Sequence, residues 1–113
     1  MSGAEQQPDA PEVDVETFAD ALAGGADVID VREPDEYADA HIPGAKLIPL
    51  GQLGSRLQEL PEGRPLYVVC ASGPRSLRAA TALQNQAGIE SISVAGGTKA
   101  WIASGRDYAT GEA

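Results

Sequence analysis

The run Leu66-Tyr67-Val68-Val69-Cys70 narrows the folds open to this 113-residue chain more than any other segment. Unbroken apolar character over so few residues reads as a strand buried on both faces, and such a strand needs a cover on each side. The next residues supply one cover: a tight loop from Ala71 to Pro74, then a strongly helical run from Arg75 to Ala87 ended by Gly88. Three further runs are strand-like: Asp27 to Arg32, Ala45 to Ile48, and Ser91 to Val94. Helical segments alternate with them. Asp14 can cap a helix over Val15 to Ala23, with Phe18, Ala21 and Leu22 at core-facing spacing and Gly24-Gly25 at its end. A short helix over Asp35 to Asp39 comes after Glu33-Pro34. Leu50 to Leu60 carries apolar residues at 50, 53, 57 and 60, as on one helix face. A last helix is expected around Thr98 to Ala103, after Gly96-Gly97. Strands and helices in alternation predict an α/β domain with a parallel sheet covered on both faces. The chain contains no internal repeat.

Composition bounds the rest. With 42% apolar side chains, the chain can build one core and not two. Its formal charge is −9, and residues 1 to 40 hold 12 of the 17 acidic residues with Arg32 as their one base. An anion site is therefore expected in the second part, and no cluster of Lys and Arg is present to bind a nucleic acid. The stretch Met1 to Pro11 is polar and acidic, without the basic start and apolar run of a secretory signal. A disordered tail over residues 1–12, a folded domain over 13–108 and a short tail over 109–113 are expected. The longest apolar runs are strand-sized, so a soluble, cytoplasmic protein without a membrane partner is expected. A lone cysteine can form neither an internal disulfide nor a multi-cysteine metal site.

Cys70 sits at the carboxyl end of the predicted central strand, where open α/β sheets place ligands. The backbone N–H groups of Ala71, Ser72, Gly73, Arg75 and Ser76 can face a common hollow, and the helix after them adds partial positive charge at its start. Pro74 has no N–H to offer, and Gly73 allows the sharp turn that closes the cradle. Such an arrangement stabilises a thiolate, and after reaction a persulfide, without a histidine as base. Arg75 offers a planar set of donors for an incoming anion. Arginine is also unfavourable at a helix start unless an anion answers it. Asp30 and Arg32, at the end of a neighbouring strand, either border the pocket or form a structural pair. His41 and Trp101 are read as packing and turn residues.

Four segments carry a resemblance: Val28-Ile29-Asp30-Val31-Arg32, His41-Ile42-Pro43-Gly44-Ala45, Cys70-Ala71-Ser72-Gly73-Pro74-Arg75-Ser76 and Gly96-Gly97-Thr98-Lys99-Ala100-Trp101. Together they resemble the signatures of rhodanese domains, in family order, from about Val13 to Gly105. The resemblance implies a three-layer sandwich whose five-stranded parallel sheet is flanked by helices on both faces. It implies a thiosulfate sulfurtransferase in which Cys70, with no cofactor or metal required, takes a sulfane sulfur from a donor such as thiosulfate and passes it to cyanide, a thiol or thioredoxin. An alternative is a module that carries sulfur or senses oxidants while docking a partner protein. Four residues separate Cys70 from Arg75, where the related phosphatases and arsenate reductases carry five, which disfavours those activities. Ala40 stands where the family usually has glycine, and a local backbone adjustment is expected there. Pro74 is the other departure that bears on the loop.

Overall fold

The computed structural model describes residues 8–111. Five strands, β1 (Glu12–Val13), β2 (Val28–Asp30), β3 (Lys46–Leu47), β4 (Leu66–Val69) and β5 (Ser91–Val94), form one sheet in the order β1-β5-β4-β2-β3. Every neighbouring pair is parallel. Residues of β4 alternate between two cores, as the pleat requires. Leu66, Val68 and Cys70 join Ile29, Val31, Ile48, Leu53, Ala79, Ala80 and Leu83 beneath α3 (Pro74–Gln86). Tyr67 and Val69 join Val15, Phe18, Val28, Val94 and Trp101 beneath α1 (Val15–Ala23) and α4 (Gly97–Ala103). The three-layer α/β arrangement is thus the observed one.

Local chemistry explains the helix starts. The Asp14 carboxylate accepts from the Thr17 N–H at 2.8 Å to open α1. Glu33 and Glu36 form a reciprocal capping box at the start of α2 (Pro34–Asp39), with the Glu33 N–H donating to Glu36 Oε1 at 2.9 Å. No helix among the described residues is long and apolar enough to cross a membrane.

Two expectations need correction. The segment Leu50 to Leu60 is not one α-helix but two 3-10 helices, Leu50–Ser55 and Leu57–Glu59, broken at Arg56. Gly51 and Gly54 each cost roughly 1 kcal/mol relative to alanine in a helix interior, which outweighs the apolar spacing. Leu53 still reaches the core, whereas Leu57 is 38% exposed. The tail expected through residue 12 joins the domain earlier: the Ala10 N–H donates to Thr81 Oγ1 at 3.0 Å, and the Pro11 carbonyl accepts from the Ser93 N–H at 2.9 Å. Glu12–Val13 then pairs with β5. A two-residue strand has no periodicity to read, and its partner lies some eighty positions away. At the other end, His41 and Ala109 exchange two N–H···O bonds of 2.8 Å, and the Gly111 N–H donates to the Ala38 carbonyl. Residues 1–7 and 112–113 of the expected tails lie outside the described residues.

Phe18 has no exposed surface and holds the α1 side together, with ring centroids 5.4 Å from Tyr67 and 5.7 Å from Trp101. Phe18→Ala is expected to lower the unfolding free energy by about 3–5 kcal/mol. A fall in the urea midpoint with unchanged slope is the readout.

Candidate active site

Parallel β2 and β4 are neighbours, so the segments leaving their carboxyl ends converge, and Cys70 comes directly after β4. The loop turns at Gly73, whose φ of 124° favours glycine, and Pro74 takes the first position of α3, where its fixed φ suits the helix. The start of α4 lies against the loop from the other side. The Thr98 N–H donates to the Cys70 carbonyl at 2.8 Å and the Lys99 N–H to the Ala71 carbonyl at 3.0 Å. A Cβ on Gly97 would stand 2.5 Å from the Cys70 oxygen and 2.6 Å from that of Ala71, and its φ is +59°. Only glycine fits there.

Cys70 has no exposed surface. The Gly73 N–H donates to its sulfur at 3.1 Å, and the thiol donates to Ser76 Oγ at 3.5 Å. The Ser76 hydroxyl in turn donates to the Gly73 carbonyl at 2.9 Å and lies 2.8 Å from Ser93 Oγ. Ser76 has one proton, so with a neutral thiol the Ser93 hydroxyl is the donor to Ser76 Oγ. Once the thiol is ionised, the Ser76 proton is free to turn toward the sulfur. Burial pushes the Cys70 thiol up, but the Ser76 hydroxyl and the backbone N–H groups of Ser76, Gly73 and Ser72 outweigh it, and the result lies below the ordinary thiol value. Of the five N–H groups read from the sequence, that of Gly73 lies within hydrogen-bond distance of the sulfur.

The remaining candidates divide. Asp30 and Arg32 are buried together: Arg32 Nε lies 3.0 and 3.1 Å from the two Asp30 oxygens, and Nη2 lies 2.8 Å from Oδ2. Nη2 also donates to the Ala40 carbonyl at 2.8 Å. The fold realises the structural pair, and Arg32 in addition lines a hollow beside the cysteine loop. Ala40 is extended, with φ −170°, a conformation open to any residue, so it needs no glycine. His41 stacks on Tyr37 at 3.7 Å, and Trp101 Nε1 donates to the Asp107 carbonyl; both pack as expected.

Arg75 does not stand free beside the loop. Its Nη1 and Nη2 each donate to one oxygen of Glu36 at 2.9 Å, and both side chains are about a third exposed. The anion that answers this helix-start arginine is internal. The Arg75 hydrogen bonds hold the Glu36 carboxyl at about 2, well below its ordinary 4.5. Because the folded value lies below the unfolded one, the pair stabilises the fold above about pH 4.5 and that stabilisation is lost as pH falls toward 2. Glu36 also fronts a hollow of about 180 Å³ beside the loop, lined with Arg32, Asp39, Ala71, Thr98 and Lys99 among others. Thr98 Oγ1 is the one buried side-chain polar atom without a partner among the described residues. Glu36, Ser93, Gly97 and Thr98 were not singled out by sequence reasoning as parts of the site.

The Rhodanese-like domain family matches residues 14–104, and the chain belongs to that family. It is 39% identical over 93 residues to a candidate sulfur carrier protein of Bacillus subtilis, YrkF, covering 80% of this chain. This chain spans 50% of that relative's length. It is 34% identical over 96 residues to a sulfurtransferase of Allochromatium vinosum, covering 83% of this chain and 90% of the relative. Among solved structures, a thiosulfate sulfurtransferase of Pseudomonas aeruginosa superposes with a TM-score of 0.83 at 33% identity, over 96% of this chain and 21% of that one.

Removing the Ser76 hydroxyl removes a group that favours the thiolate. Ser76→Ala should therefore shift the pH profile of Cys70 alkylation by iodoacetamide toward higher pH. A profile that stays in place would show that the backbone N–H groups alone set the thiol.

Proposed function

We propose that the protein transfers sulfane sulfur through a persulfide on Cys70. The observation that carries this reading is a lone cysteine at the end of the central strand, its ionised form favoured by three backbone N–H groups and a hydroxyl. The same donors that favour a thiolate favour a terminal persulfide anion, which is larger and equally charged. With thiosulfate as donor, the thiolate attacks the outer sulfur, the S–S bond of thiosulfate breaks, and sulfite leaves with the electron pair. A thiol or cyanide acceptor then attacks the terminal sulfur of the persulfide and returns the Cys70 thiolate. No proton need be taken by a histidine. Arg75 is the residue suited to the sulfite oxygens once Glu36 releases it. Because Cys70 has no exposed surface, loading requires the loop to open. A lone free thiol of this kind suits a reducing compartment such as the cytoplasm.

A second reading is favoured by that same closure and by the likeness to a candidate sulfur carrier: the persulfide is received from and handed to a partner protein, with little turnover on small donors. Intact mass separates the two. Wild-type protein mixed with thiosulfate should gain one sulfur atom, lose it to cyanide and yield thiocyanate, and Cys70→Ser should do none of these while keeping its fold. Loading only from a protein persulfide would select the carrier reading, and no loading from any donor would remove sulfur transfer altogether. Arg75→Ala should raise KM for thiosulfate by about three- to tenfold, as loss of charge-assisted hydrogen bonds implies.

A further inference from the structure

Glu36 touches two things at once: the cation best placed to bind an anionic donor, and the hollow beside the cysteine loop. The hollow's wall holds the carboxylates Glu36 and Asp39 against the cations Arg32 and Lys99, and Arg32 is already paired with Asp30. Lys99 is left as its one cation without an ion pair among the described residues. A dianion approaching the loop past this hollow meets the two carboxylates of its wall, and it gains Arg75, itself not part of that wall, only by displacing Glu36 from both guanidinium nitrogens. A donor with little negative charge meets no such competition.

Resting on the sulfur-transfer reading, we propose that Glu36 is a donor-specificity residue: by holding Arg75 and fronting the hollow, it selects persulfides of low net charge over small dianions such as thiosulfate. With an alkyl persulfide, the Cys70 thiolate attacks the terminal sulfur, the donor's S–S bond breaks, and the alkyl thiolate leaves and takes a proton from water. That leaving group carries no sulfonate oxygens and has no use for Arg75. Glu36 acts here through Arg75 and through its own charge, as a positioning residue, and takes no part in bond making.

The test is Glu36→Gln, which keeps a carbonyl oxygen for the Glu33 N–H and so the start of α2. Loading of Cys70 is tracked by intact mass, and turnover by thiol or thiocyanate release, with thiosulfate and with cysteamine persulfide as donors. Glu36→Gln should lower KM for thiosulfate about three- to tenfold at nearly constant kcat, the range expected when a partly exposed ion pair no longer competes and one negative charge is gone. KM for cysteamine persulfide should stay within about twofold, because that donor makes no demand on the pair. In an Arg75→Ala background the thiosulfate effect of Glu36→Gln should shrink, which a general loosening of α2 would not produce. An unchanged or raised thiosulfate KM in a wild type that loads sulfur, or an equal change for both donors, overturns the assignment. A wild type that loads only from a protein persulfide overturns the assignment and selects the carrier reading, and one that loads from no donor overturns the sulfur-transfer reading itself.

Discussion

Two backbone hydrogen bonds, from Thr98 and Lys99 to the carbonyls of Cys70 and Ala71, set the orientation on which the site depends. A peptide unit is planar and trans, so a carbonyl pointing one way sends its N–H the other. Turning the Cys70 and Ala71 carbonyls toward α4 therefore turns the Ala71 and Ser72 N–H groups away from it. The Ser72 N–H is one of those that favour the thiolate. The close approach that permits this needs Gly97, since any side chain there would occupy the space of the same two carbonyls. The cradle is thus made by a helix that contributes no side chain to the sulfur.

The topology places opposite charges at the same strand ends. Residues 33–39 carry Glu33, Asp35, Glu36 and Asp39, which the sequence assigns to the acidic first part. Because β2 lies next to β4, the segment after β2 meets the loop after β4, and Glu36 comes to Arg75 across 39 positions. The anion region expected in the second part is therefore answered from within the chain. An arginine at a helix start calls for an anion, and the fold supplies one before any substrate arrives.

What could be read from the sequence was whatever is local. The apolar run of β4, the Asp14 cap, the tight turn after Cys70 and the α3 helix each depend on residues within a few positions, and each sits within a residue of where its pattern put it. The family signatures added the fifth strand, which Glu12 and Val13 could not announce alone. The segment after Leu50 misled because its leucine spacing is helical while its glycines are not, and tertiary contact at Leu53 keeps the leucine buried in either form. Glu36 and Ser93 were illegible for a different reason. Their roles are set by partners 39 and 17 residues away, and nothing near them in the chain distinguishes them from a surface acid and a strand serine.

Asp30 and Arg32 show how a pair that looks reactive in sequence serves the site by holding still. Burying two charges is costly, and removing either partner alone would strand the other at a cost of about 3–5 kcal/mol. What the pair secures is position. Arg32 reaches from Asp30, at the end of β2, to the Ala40 carbonyl that closes α2. The other end of α2 is fixed by the capping box, in which Glu36 itself takes part. Gly111 bonds Ala38 between them. A helix of six residues would not hold one carboxylate in place by its own stability. Anchored at both ends, it presents Glu36 to Arg75 in a bidentate geometry that needs no further ordering on the α2 side. The buried pair thereby acts on the cysteine loop at two removes, through the helix it pins and the acid that helix carries.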